Sequence, residues 1–247
     1  MKSIQKTSIY DAPLNNNSYY LSPALSNEIR KRFIVKVYSI LWVQILFTSF
    51  FIGICNTNDS VANFMTSPTG QLISVITTIF LFIQMIMLYC LYDTFKQNPY
   101  NWLLLITFTL SITYLVGIAG VIYSTEKLLL GGCTTLTIFA GLSLYAWQST
   151  IDYTVFGNVL CVITFGLIMM GFLMSFVSFP LIQIIYSVIG AMLFSFYIIY
   201  DTQMIIGGNH KKFSFTVDDF VIASISLYLD IINLFLYIME ILDGNSR

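Results

Sequence analysis

Charge is the scarcest thing in this sequence: only 9% of its 247 residues are Asp, Glu, Lys or Arg, against about 25% in a typical soluble domain. With 57% hydrophobic residues and a mean hydropathy of +0.81, a water-soluble fold is excluded. Histidine is nearly absent. The single His210, in a glycine-lysine loop, leaves zinc hydrolases and Ser-His proteases without their parts. The four cysteines, Cys55, Cys90, Cys133 and Cys161, lie far apart in or beside apolar runs, with no CxxC spacing for a metal, and read as packing residues. A net charge of −1 offers no basic surface for nucleic acid.

Long apolar runs fill the space that charge leaves. A bilayer core of about 30 Å needs roughly 20 apolar residues in a helix. Seven stretches meet this, near 33–55, 71–92, 101–123, 128–147, 155–177, 181–206 and 217–242. The breaks between them carry turn chemistry, among them Asn56 to Gly70 with Pro68, Lys96-Gln97-Asn98-Pro99, Ser178-Phe179-Pro180 and Gly207-Gly208-Asn209. The expected fold is an all-α membrane protein, a bundle of seven transmembrane helices whose last segment either spans or re-enters. Residues 1–28 read as a disordered leader and 29–247 as the membrane domain. No internal repeat of the inverted-transporter kind is evident.

The few basic residues orient the chain. Lys2, Lys6, Arg30, Lys31, Arg32, Lys36, Lys96, Lys211 and Lys212 share the side of the N-terminus, and Lys127 lies on the other. Short loops rich in Lys and Arg stay in the cytoplasm, so the N-terminus is expected there. The sequon Asn58-Asp59-Ser60 then falls on the far side, and Asn16-Asn17-Ser18 on the near one.

Ionisable groups in hydrocarbon cost at least about 2.5–3.5 kcal/mol and tend to mark functional sites. Asp201, in FYIIYDT, and Asp230, in SLYLDIIN, sit well inside the last two segments. At 3.6 residues per turn, Asp219, Ala223, Ser226, Asn233 and Tyr237 fall within about 60° of the Asp230 meridian. Asp201 shares a face with Ser187, Gly190, Ala191, Phe194 and Tyr197. Two carboxyls that share a dry site cannot easily both ionise, so they titrate as a unit and can sense pH. When ionised they offer the oxygen ligands that Ca²⁺ prefers, if only transiently. Asp218, Asp219, Ser226 and Asn233 are candidates for the rest of an ion path. The competing reading makes each acid a local hydrogen-bonding device, paired with Tyr200, Tyr228 or Asn233, and makes Asp218 and Asp219 simple complements of a helix dipole. An aspartyl intramembrane protease is disfavoured. Asp230 lacks the GxGD context, and the only Pro-Ala-Leu, at residues 23–25, is in the leader.

Ile29-Arg30-Lys31-Arg32-Phe33, Lys36-Val37-Tyr38, Leu144-Tyr145 with Gln148-Ser149, Ile198 to Thr202, and above all ISLYLDIINLFL at 225–236 resemble the transmembrane Bax inhibitor motif, or lifeguard, family. The Golgi anti-apoptotic protein branch is the most similar. The resemblance covers about residues 29–242. It implies a pH-sensitive Ca²⁺ leak channel or regulator of Ca²⁺ stores in Golgi or endoplasmic reticulum, with an anti-apoptotic role and no enzymatic activity. By the same resemblance Asp201 and Asp230 form the di-aspartyl pH sensor, and Asp218 holds the place of an acid at the start of the seventh helix. Its partners are the lipid bilayer, Ca²⁺ and protons, and other channels or cell-death regulators. Two departures stand out. Residues 71–92 lack the basic latch that some relatives carry in the second helix, leaving Lys96 as the nearest candidate, and Ser178-Phe179-Pro180 lacks an acid found there in some members. A non-conducting adaptor, a proton-coupled transporter and a seven-helix receptor remain as alternatives.

Overall fold

A computed structural model describes residues 23–174, 176, 180–207 and 211–244. Residues 1–22, His210 and the Asn16 sequon lie outside the described residues. The chain folds as α1 (Pro23–Thr57), α2 (Asp59–Thr66), α3 (Pro68–Cys90), α4 (Tyr92–Phe95), α5 (Tyr100–Ile122), α6 (Thr125–Gln148), α7 (Gly157–Met174), α8 (Pro180–Ile206) and α9 (Phe220–Gly244). Seven of these are long and apolar enough to cross a membrane. The fold is the expected all-α seven-span bundle.

The helices are not equivalent. Nearly three-quarters of the most apolar window of the span ending in α9 is buried in the protein (72%), against 11% for that of α3 and for that of the span Tyr153–Met174, which contains α7. The α9 helix is the hub, with α1, α5, α6 and α8 packed around it, while α3 leans on α5 and α7 on α8 from outside. Ile76, Ile79 and Ile83 of α3, and Val159, Val162 and Phe165 of α7, are exposed. In a soluble protein such faces would be a liability, whereas here they meet lipid. The central α9 is one unbroken helix of 25 residues, about 37 Å long at 1.5 Å per residue. Length alone lets it span, which removes the need for a re-entrant seventh segment.

Hydroxyl and amide side chains stitch the hub to its neighbours. The Thr48 hydroxyl is shared with Thr113 at 2.9 Å and with Tyr228 at 2.7 Å, tying α1, α5 and α9 together. Gln44 Nε2 donates to Thr109 Oγ1 at 2.8 Å. Gly117 and Gly120 of α5 lie close against α1, Gly131 of α6 against Met239 and Gly171 of α7 against Tyr186, while a Cβ at Gly132 or Gly166 would meet open space. Small residues thus allow close helix approach at only some of these positions.

Two boundaries differ from expectation. The first helix starts at Pro23 rather than near 33, so it takes in residues 23–28. The break after Asn56 contains α2, because Asn58 Oδ1 accepts the backbone N–H groups of Ser60 and Val61 and caps a new helix start.

The early start of α1 has a use. Arg30 reaches across to the end of α8, donating through Nε to Ile206 O (2.9 Å), through Nη2 to Met204 O (2.8 Å) and through Nη1 to Phe215 O (2.6 Å). The carbonyls ending a helix lack partners within it and carry partial negative charge, so a guanidinium there satisfies both needs. Gly207 turns the chain beneath it at φ +61°, a backbone conformation that glycine tolerates. Replacing Arg30 by Ala is expected to lower the stability of the detergent-solubilised protein by about 3 kcal/mol, since charge-assisted bonds contribute more than neutral ones. Arg30→Lys should recover only part of this, lacking the planar fork. Thermal unfolding of the three proteins checks both, and an unchanged midpoint for Arg30→Ala would contradict the clamp.

Candidate functional site

The last two helices pack more extensively on each other than any other pair, and Asp201 meets Asp230 and Gly190 meets Tyr237 across that seam. Asp201 on α8 and Asp230 on α9 are only 6% and 5% exposed, and their carboxyl groups lie within hydrogen-bonding reach of each other. Two ionised carboxylates repel at close range, and a single proton held between them would relieve that repulsion. Asp230 Oδ2 is buried without a hydrogen-bond partner among the described residues. Such a group costs about 1–3 kcal/mol in an ordinary core.

The local hydrogen-bonding reading fits less well. Tyr228 bonds Thr48, on the side of α9 facing α1 and α5. Asn233 Nδ2 donates to Leu229 O of its own helix at 2.8 Å, and Ser226 is half-buried. No hydrogen bond among the described residues joins Tyr200, Tyr228 or Asn233 to either acid. Among the described residues the ion pairs are Arg32–Glu28, Lys96–Asp219 and Lys127–Asp243, so no cation neutralises either Asp201 or Asp230.

The residues at the start of α9 behave differently from one another. Asp218 is exposed and Asp219 is buried. Asp219 Oδ2 accepts the Thr216 N–H (2.8 Å) and hydroxyl (2.6 Å), forming a capping box. Its Oδ1 accepts the Tyr92 hydroxyl at 2.9 Å and pairs with Lys96 Nζ at 2.9 Å. Lys96 is thus committed to Asp219 and not to the aspartyl pair. A latch from the α4 turn to the hub helix exists, but at the helix end. Beside it, Lys36 Nζ sits 3.1 Å from the centre of the Phe220 ring. Tyr92 and Thr216 went unnoticed in the sequence, because nothing local announces that a residue of the α4 turn meets one more than a hundred positions later.

The hydrogen bond to Asp219 holds the Lys96 amine above its ordinary value of 10.5, outweighing burial. An amine raised in the folded state stabilises fully below its unfolded value and ceases to do so as pH rises through the folded one. The latch therefore persists through neutral pH and weakens only in alkali. Lys96→Met should destabilise the protein by about 2 kcal/mol near pH 7, with the difference from the parent shrinking as pH passes the Lys96 titration. Unfolding midpoints measured across pH test this, and equal stability of the two proteins at pH 7 would contradict it.

Comparison with known proteins gives a consistent picture. The family model described as inhibitor of apoptosis-promoting Bax1 matches residues 30–247. The chain is 32% identical over 222 residues to protein lifeguard 4 of Mus musculus, covering 90% of this chain and 89% of that protein. It is 31% identical over 229 residues to the BI1-like protein of Arabidopsis thaliana, with 90% and 85% covered. Protein lifeguard 3 of Homo sapiens is 24% identical over 223 residues, with 89% and 70% covered.

Proposed function

Because the chain belongs to the family of inhibitors of apoptosis-promoting Bax1, we propose that it is an anti-apoptotic integral membrane protein that lets Ca²⁺ leak from an intracellular store, with Asp201 and Asp230 as its pH-sensitive gate. The observation that carries this reading is the buried contact of two carboxyl groups on adjacent helices, with no cation paired to them among the described residues. Placement in Golgi or endoplasmic reticulum rests on the resemblance to the lifeguard family, and a cytoplasmic N-terminus on the distribution of Lys and Arg.

A shared proton bridges α8 to α9 and favours the closed bundle. Losing it leaves two negative charges facing each other. At a separation of 4 Å and an effective dielectric of 20 their repulsion is about 4 kcal/mol, close to three orders of magnitude in an equilibrium constant. Repulsion parts the helices, water enters, and carboxylate oxygens become available to a hard cation. The leak therefore rises with pH and falls with acid. Asp218, exposed beside the Lys96–Asp219 latch, lies where an ion path through the hub would end, and Ser226 and Asn233 lie along the same helix.

Purified protein in liposomes loaded with a Ca²⁺ indicator tests the reading. The expected result is a flux that increases from acid to neutral pH, and an Asp230→Asn variant whose altered flux has lost most of its pH response. A normal profile in well-folded Asp230→Asn would contradict the gate. No flux from folded parent protein at any pH would favour the alternative, an adaptor that binds other channels or cell-death regulators.

A further inference from the structure

Beyond Asp201, the same face of α8 continues away from the Arg30 end as Tyr197, Phe194, Gly190 and Tyr186. The antiparallel α9 sets Tyr237 and then Glu240 against it. At the far end, Gln183 Nε2 donates to Glu240 Oε1 at 2.7 Å, beside a cavity of about 300 Å³ lined by these two residues and Asp243 among others. Inward from the cavity, the Tyr237 hydroxyl donates to that of Tyr186 at 3.2 Å. Nearer the acids, the hydroxyls of Tyr197 and Thr164 of α7 share a bond of 2.8 Å.

Phe194 stands between these two hydroxyl pairs. Its ring stacks on Tyr237 with centroids 5.9 Å apart and planes at 26°, and lies against Tyr197 at 5.7 Å and 31°. Gly190, one turn away, leaves room for the Tyr237 ring where any Cβ would collide with it, so the three rings close into one layer. Gly190 apart, every other residue named on this line offers a hydroxyl, amide or carboxyl to water or an ion. A phenyl ring offers none, and an apolar constriction blocks passage by excluding water rather than by filling all space.

We propose that Phe194 is a hydrophobic gate, separating the cavity at the Glu240 end from the Asp201–Asp230 pair. It rests on the leak reading for its purpose, but what it governs first is access. With the gate closed, the pair is cut off from the solution on that side, and opening requires the Phe194 ring to swing out of the layer as α8 and α9 part.

The test uses the full chain in proteoliposomes, with the native cysteines replaced by Ser and Asp230→Cys as the only thiol. A membrane-impermeant cationic methanethiosulfonate is added to the side bearing Glu240, and the modification rate is compared in Phe194, Phe194→Leu and Phe194→Ala backgrounds. Removing the ring should speed modification about tenfold in Phe194→Ala, and less in Phe194→Leu, which keeps most of the apolar volume. The Leu variant also keeps the test decisive if the Ala variant does not fold. Equal rates in folded Phe194 and Leu or Ala proteins would overturn the gate. Faster modification in the variants, with no Ca²⁺ flux from any chain that retains Asp230, would uphold the gate and defeat the leak reading.

Discussion

A carboxyl group can reside in the hydrocarbon layer only if protein surrounds it, and the arrangement of this bundle follows from that constraint. The helix carrying Asp230 also carries Tyr228, Ser224 and Asn233, so it is the helix least able to face lipid. It becomes the hub, with α1, α5, α6 and α8 around it, while α3 and α7, which carry no charged residue, take the outside. Asp201 must likewise look inward from α8, and the one surface that both acids can share is the α8–α9 seam. Their contact is therefore the point where burial cost and the proposed gating meet, since a proton held between two carboxyls lowers the cost and its loss raises it.

The end of the bundle near Arg30 is held by a different kind of chemistry. There the charges are matched: Arg30 caps the carbonyls ending α8, and Lys96 with Tyr92 and Thr216 saturates Asp219. These contacts pin α1, the α4 turn and α9 to one another. The aspartyl pair, unsaturated and without a cation, sits deeper. A bundle with one end fastened and a strained pair within can respond along the α8–α9 seam without coming apart.

Seven spans were legible in the sequence because each is a run of apolar residues of membrane length, and the two acids because a charge in such a run has no cheap alternative to a buried partner. Their pairing followed from adjacency of the helices and from matching stripes. Other features were not legible. The Arg30 contacts join carbonyls far along the chain, and α2 depends on a side-chain cap within what reads as a turn. Asp218 and Asp219 look alike in sequence, yet only Asp219 turns inward to Lys96, because it closes the capping box with Thr216. Helical phase placed Ser226 and Asn233 near Asp230, but it could not show that the Asn233 amide bonds back to Leu229.

The central claim is that Asp201 and Asp230 hold a single proton between them, and the state of that proton can be observed directly. Infrared difference spectroscopy of the reconstituted protein, titrated from acid to alkaline pH, reports the C=O stretch of a protonated carboxyl. The account predicts one such band in the parent at neutral pH, lost on alkalinisation and shifted in frequency and in the pH of its loss in both Asp201→Asn and Asp230→Asn. No protonated carboxyl at neutral pH, or a band that either variant leaves unchanged, would contradict it.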